Sequence, residues 1–385
     1  MYTMNVDMIT LKSRKQKGLR TISLILVFML IQSVAASLYA EKVLRIAVAG
    51  MSHGHISFIM NRPDKGDFKL VGVCESDNEL IEKMKSRYRL ESNLIYSNLE
   101  EMLDKTKPEV VVAFGSIYDH LSVVKACAPR GIHVMVEKPL AVSMEHANEM
   151  AELARKHQIH LLTNYETSWY PTTALSMELV QKDNFVGKVR KVVIHDGHRG
   201  PKEIGCDKFF LGWLTDPVLN GGGAVVDFGC YGANLMTALT KGEKPIAVTA
   251  VLRQFKPDVY PKVDDNATII VSYPESECII QASWNWPFDR KDMEIYGTKG
   301  VIFADNSTDM RLRSSDMSKM EQRRVTENDV EVYKDPFAYL YDVITEKITQ
   351  PPYGLYSLEN NMMVVRILDA ARESAKTGKT VVLAD

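Results

Sequence analysis

The chain has 385 residues, 45% hydrophobic and 25% charged, with 47 Lys and Arg against 49 Asp and Glu. That length exceeds one ordinary domain and predicts two, with the composition of a soluble globular protein. A net charge of −2 provides no basic face for nucleic acid, and five scattered cysteines without Cys-x-x-Cys spacing exclude a disulfide framework and a zinc ribbon.

Residues 1–40 differ from the rest. Arg14, Lys15, Lys17 and Arg20 precede the apolar run Ile22 to Ile31, and small residues follow at Ala35, Ala36, Ser37 and Ala40. A basic segment, a short apolar core and a small-residue exit predict a Sec-type signal peptide and a periplasmic protein. The core is shorter than the ~20 residues of a spanning helix. An uncleaved segment tethering the protein to the membrane is the alternative.

From 41 to 165, apolar runs alternate with helical patterns. Val43 to Ala49, Phe68 to Cys74, Val110 to Phe114, Val134 to Val136 and Ile159 to Leu162 read as strands. Ile56 to Asn61, Glu79 to Tyr88, His120 to Ala128 and Met144 to His157 read as helices. Continuous apolar strands separated by helices predict a doubly wound parallel sheet, an α/β nucleotide-binding domain of the Rossmann type. From 166 to 385 the strands lengthen and several alternate: Val189 to Asp196, Ile246 to Gln254, Ala267 to Tyr273, Ser276 to Asn285 and Asp292 to Tyr296. They predict an open, mainly antiparallel sheet in an α+β domain, with one helix at about Ala224 to Leu239 and a last helix at about Leu358 to Thr377, ending at Gly378 and returning toward the first domain. Ser307 to Asp335 is polar and reads as a peripheral hairpin or loop.

The first strand ends in Gly50-Met51-Ser52-His53-Gly54-His55, and a helix follows. This is where a dinucleotide pyrophosphate sits on a helix N-terminus, although Ser52 and His55 replace two glycines of Gly-x-Gly-x-x-Gly. Ser52 and Gly54 let the backbone approach a phosphate; His53 and His55 can donate to it. No nearby carboxylate or cysteine completes a metal set with the two histidines, so no metal is expected. Glu75 ends the second strand, where an acid accepts from ribose hydroxyls and repels a 2′-phosphate, favouring NAD over NADP. Lys138 leaves the mouth of an apolar strand, between Glu137 and Pro139. Ligands of parallel sheets bind outside the carboxyl ends of the strands, and Pro139 fixes the local backbone, so the ammonium is aimed at the crevice.

These residues together resemble the Gfo/Idh/MocA family of oxidoreductases (glucose-fructose oxidoreductase, inositol dehydrogenase and relatives). Glu137-Lys138-Pro139 matches the family's Glu-Lys-Pro motif, and Gly221 to Tyr231 matches its Gly-Gly-Gly…Asp-x-Gly-x-His segment, with Tyr231 in the place of the histidine. Gly115-Ser116-Ile117-Tyr118-Asp119-His120 departs from the family's usual residues after the third strand, while His120 keeps its place. The resemblance implies an NAD-dependent oxidoreductase, with a sugar, glycoside or polyol in the crevice between domains and a homo-dimer or homo-tetramer formed through the open sheet. It implies Glu137, Lys138, Ser116 and His120 at the cofactor. It adds, with local composition, Asn164, Tyr165, Trp213 and His198 as substrate candidates.

Asp227 and Tyr231 are four apart and share one face of the predicted helix. The expected catalytic set is Tyr231 as base, Lys138 lowering its pKa and stabilising the alkoxide, and Asp227 orienting the sugar hydroxyl or the lysine. Export implies a tightly held cofactor regenerated within the cycle. Two alternatives stay open: a redox-neutral NAD-dependent glycosidase working through a 3-keto intermediate, and a non-catalytic sugar-binding protein.

Overall fold

The computed structural model describes residues 42–333 and 335–383; the predicted signal segment lies outside them. Leu44 to Asp385 cluster as one compact unit built on two sheets.

The first sheet holds β1 (Leu44–Ala49), β2 (Phe68–Cys74), β3 (Ile95–Tyr96), β4 (Val110–Ala113), β5 (His133–Glu137) and β6 (Leu161–Asn164) in the order β3-β2-β1-β4-β5-β6. All pairs are parallel. Every residue of β4 and β6 is buried, as expected for a sheet covered on both faces. The covering helices are α1 (Ile56–Met60), α2 (Asn78–Tyr88), α3 (Leu99–Thr106), α4 (His120–Cys127) and α5 (Met144–Lys156). The strand order reverses between β1 and β4, which opens a crevice at their carboxyl ends. The turn after β1 docks there: Phe114 N–H donates to Ala49 O and His53 N–H to Phe114 O, both at 2.8 Å.

The second sheet comprises β7 (Val189–Gly197), β8 (Ala247–Arg253), β9 (Asn266–Ser272), β10 (Glu277–Ser283), β11 (Arg290–Gly297), β12 (Gly300–Ala304), β13 (Asp309–Ser314), β14 (Glu321–Arg324) and β15 (Val381–Val382). The order is β14-β13-β12-β11-β7-β10-β9-β8-β15. Only β7 and β10 pair in parallel; the other pairs are antiparallel. The polar 307–335 stretch supplies the edge hairpin β13–β14.

Helices α6 (Pro171–Gln181), α7 (Lys208–Leu214), α8 (Ala224–Asp227), α9 (Gly229–Leu239), α10 (Pro336–Ile344) and α11 (Leu358–Thr377) complete the unit. The predicted single helix from Ala224 to Leu239 is two, because Phe228 (φ −114°, ψ −27°) interrupts it. All of α9 is buried, packed against β10 and α11. Helix α11 starts at the Ser357 cap, whose side chain accepts from Asn360 N–H, and stops at Gly378 (φ +68°). It also packs on α5, and Asp369 accepts from Met144 N–H at 2.9 Å, tying the last helix to the first domain. Four helices escape the periodicity reading: α3, α6, α7 and α10. Each has at most 11 residues, and short helices are specified more by caps such as Asn98, Asp207 and Asp335 than by a long apolar stripe.

Candidate active site

Gly50 (φ +78°) is forced by its surroundings: a Cβ there would stand 2.6 Å from the Gly115 backbone nitrogen. Glu75, at the tip of β2, binds the same turn. Its carboxylate accepts from Met51 N–H at 2.9 Å and from Ser76 and Asp77 N–H at 2.8 and 3.0 Å. Gly54 faces open space, with no heavy atom within 4 Å of a Cβ position. Ser52 Oγ accepts from the Trp213 indole at 3.0 Å, which leaves its own proton to donate.

His53 and His55 both engage a partner through Nδ1, one accepting from a backbone N–H and the other facing a carboxylate. His53 Nδ1 accepts from His55 N–H at 3.0 Å, so its proton is on Nε2. His55 Nδ1 lies 2.9 Å from Glu137 Oε2, and Asn164 donates to Glu137 Oε1 at 2.9 Å. Burial drives His53 down to about 3, helped by the neighbouring His55. Burial pushes Glu137 up, but His55, His53 and Asn164 prevail and hold it at about 2. The carboxylate that the local sequence lacks is thus supplied by β5. Ligand atoms of His53, His55 and Glu137 lie within 4.8 Å of one another, so the sequence argument against a metal set, based on neighbours alone, is corrected here.

Lys138 leaves β5 and is 6% exposed. Its ammonium donates to Asp227 O at 2.7 Å and contacts Asp227 Oδ1. The break at Phe228 makes the first bond possible: Tyr231 N–H turns to Phe228 O, so the Asp227 carbonyl is left for the lysine. Asp227 Oδ2 accepts from the buried Trp284 indole at 2.9 Å. Burial opposes both charges of the pair, yet their mutual attraction prevails. Lys138 is held above its ordinary value and Asp227 below its own.

Tyr231 is 1% exposed, and Lys138 Nζ stands 5.2 Å from its ring centroid. The predicted convergence of amine, carboxylate and phenol is therefore present. The expected pKa relation is not. Lys138 faces the ring and spends its charge on Asp227, while burial, Glu166 and Asp196 push the Tyr231 phenol well above its ordinary value.

A cleft of about 1040 Å³ connects these groups. Of the residues picked from sequence, Ser52, His53, Gly54, His55, Lys138, His198, Asp227 and Tyr231 line it. Gly50, Glu75 and Glu137 stand behind its wall and brace the turn or His55. Five other picks also sit behind the lining. Ser116 donates to Asp119 at 2.6 Å; His120 is buried with Nδ1 3.1 Å from Leu140 O. Asn164 serves Glu137, and Trp213 serves Ser52. Tyr165 is fully buried edge-on to Tyr231, at 5.3 Å between rings. Ser116, His120, Asn164, Tyr165 and Trp213 thus do not face the cleft, which corrects their reading as ligand contacts: Trp213 serves Ser52, Tyr165 packs beneath Tyr231, and the other three bond residues behind the wall. His198 Nδ1 accepts from Gly200 N–H at 2.9 Å, so its Nε2 carries the proton and is a donor.

The sequence reading missed Glu166, Tyr170, Lys291 and Asp292, which also line the cleft. Lys291 pairs with Glu166, Tyr170 donates to Glu166 at 2.7 Å, and Lys291 Nζ stands 4.9 Å from the Tyr231 ring centroid. The one available signal was four consecutive charges, Asp289-Arg290-Lys291-Asp292, at the start of a strand.

The site fits a dinucleotide. The turn lies at the switch point, Gly50 lets it dock on Gly115, Glu75 braces it, Gly54 keeps its backbone bare, and the cleft runs from the turn to Lys138. Fold and site together define an NAD-binding oxidoreductase. Residues 44–165 match the profile of the oxidoreductase family with NAD-binding Rossmann fold, and residues 177–303 match the Gfo/Idh/MocA C-terminal domain. The chain belongs to the Gfo/Idh/MocA family. It is 28% identical over 242 residues to trans-1,2-dihydrobenzene-1,2-diol dehydrogenase of Xenopus laevis, covering 61% of this chain and 67% of that one. It is 21% identical over 352 residues to myo-inositol 2-dehydrogenase of Thermotoga maritima, covering 88% and 98%. The aldose-aldose oxidoreductase of Caulobacter crescentus, solved with glycerol, shares the fold with a TM-score of 0.74 at 22% identity over 89% of this chain and 100% of that one.

Proposed function

We propose that this protein oxidises a secondary alcohol of a sugar, glycoside or polyol, using NAD that stays bound through many turnovers. The observation that carries the reading is the buried contact of Lys138 with Asp227 beside Tyr231, at the end of the cleft that starts at the glycine turn. NAD supplies the hydride acceptor. The chain's residues must hold the alcohol and take its proton. Because Tyr231 is held as a neutral phenol and Asp227 as a carboxylate, we assign proton acceptance to the Lys138–Asp227 couple: the ammonium passes a proton to Asp227 as it takes one from the substrate hydroxyl. Tyr231 and His198 Nε2 then donate to neighbouring oxygens. The N-terminal segment supports export to the periplasm, where free NAD is not maintained, and this favours retained cofactor. Among the described residues no helix is long and apolar enough to cross a membrane.

A second reading is favoured by one observation. Lys291–Glu166 forms another acid–base pair over the same phenol ring, which suits a redox-neutral cleavage needing two proton transfers.

The test is turnover of the nucleotide-loaded protein with a sugar and glycoside panel. Lys138→Met is expected to keep nucleotide and lose activity by about 10³-fold, and Tyr231→Phe to lose about tenfold with an unchanged pH profile. Equal losses for both, with the basic limb abolished only in Tyr231→Phe, would return the base role to the tyrosine. Unchanged turnover in Lys138→Met would refute the reading.

A further inference from the structure

Among the described residues, the half of the cleft built from the second sheet is charged, and its Arg290, Lys291 and Arg311 are each paired with a carboxylate. Arg290 makes a two-bond pair with Asp292 (2.7 and 2.9 Å), and Arg311 another with Asp305 (2.7 and 2.6 Å). Lys291 is held by Glu166, and Lys138 by Asp227. Asp289 and Glu294 line the same wall and add negative charge. A carboxylate or phosphate entering here would meet occupied cations and surplus acid, whereas sugar hydroxyls can both donate and accept along paired charges.

The wall also carries an aromatic ring without cover. Phe288 is 64% exposed and lines the cleft, in the loop between β10 and β11. That loop is fixed against the catalytic centre: Trp286 N–H donates to His198 O at 3.2 Å, and the Arg290 guanidinium lies 5.1 Å from the Trp286 ring centroid. The exposed ring therefore shares the cleft with His198 and Lys138, while Phe228 and Tyr231 are buried. An exposed aromatic next to hydrogen-bonding ion pairs suits the apolar face of a second ring.

Resting on the function proposed above, we propose that Phe288, with Asp289 and the Arg290–Asp292 pair, forms an outer subsite for the group attached to the sugar being oxidised, so that the substrate is an uncharged glycoside. Free monosaccharides, sugar acids and sugar phosphates would be poorer ligands.

The test uses the nucleotide-loaded protein and matched sets in gluco, galacto and manno configurations: the free sugar, its phenyl glycosides, its uronate and its 6-phosphate. Binding is read by calorimetry and turnover by nucleotide reduction. In at least one configuration a phenyl glycoside is expected to bind about fivefold or more tighter than the free sugar, with the uronate and phosphate weaker than either. Phe288→Ala is expected to erase the glycoside advantage while leaving free-sugar binding and nucleotide content unchanged, and Phe288→Trp to restore it. The ring is exposed, so neither variant disturbs the core. Equal binding of sugar and glycoside, tighter binding of the charged sugars, no binding by any member, or loss of nucleotide in Phe288→Ala would each overturn the subsite. Glycoside binding through Phe288 without nucleotide reduction would keep the subsite and remove the dehydrogenase reading.

Discussion

Asp227 divides its carboxylate between two buried donors, the Lys138 ammonium on Oδ1 and, at 2.9 Å, the Trp284 indole on Oδ2. A buried carboxylate left short of a donor bears its desolvation uncompensated. Trp284→Phe is therefore expected to lower stability by about 2 kcal/mol, read from urea unfolding, partly through the lost bond and partly through lost packing on Tyr260. It should also raise the Asp227 pKa and move the acid limb of turnover to higher pH. A stability loss with an unmoved acid limb would separate Trp284 from the catalytic charge balance. The same reasoning explains the tyrosine. In sequence a lysine and a tyrosine in one site suggest an activated phenol, but the ammonium is already engaged and the phenol is surrounded by Glu166 and Asp196.

At the scale of elements, two breaks in regularity shape the site. One is the turn after β1. Gly50→Ala would place a methyl group 2.6 Å from backbone at a positive φ, where no rotamer can relieve it. It is expected to destabilise the fold by about 2 kcal/mol or more and to reduce the nucleotide retained after gel filtration. Gly54→Ala has free space around it and is expected to stay within about 0.5 kcal/mol of the parent, so any nucleotide it loses reports phosphate approach rather than folding. Parallel behaviour of the two variants would show that the turn acts only structurally. The other break is Phe228, which divides α8 from α9 and releases the Asp227 carbonyl to Lys138. Helical periodicity alone makes the pair of Asp227 and Tyr231 visible; only the interruption gives the lysine its second partner.

Over the whole molecule, stability against pH is a sum of opposed terms. Burial lowers His120 to about 4, against an ordinary value near 6.5, so its contribution is complete above that value and is lost as pH falls toward about 4. Asp264, raised by burial to about 6, and Asp196, also raised by burial, act in the opposite direction. A variant isolates one term. His120→Asn keeps a donor for Leu140 O and is expected to lose about 2 kcal/mol less than the parent between pH 7 and pH 5, measured by urea unfolding at each pH. Equal losses would mean that His120 titrates normally. The same burial explains why His120 does not line the cleft, although its place in the sequence suggested a cofactor contact.

Alternating apolar runs and helical spacings by themselves determined the central strands of the first sheet and most of its helices, the open second sheet and the last helix to its glycine stop, because each depends on side chains a few positions apart. Lys138 was legible at the cleft for a similar reason: strand ends in a doubly wound sheet open into the crevice whatever else surrounds them. Tertiary structure alone decided what those residues do. Glu137 reaches His55 across 82 positions, Trp284 reaches Asp227 across 57, and Lys291 reaches Glu166 across 125. Strand register and helix breaks set such meetings, and local periodicity carries no record of them. Charge compensation in a buried cleft depends on these distant partners, so the protonation of Tyr231 and the pairing of the cleft's cations could be read only once the chain was folded.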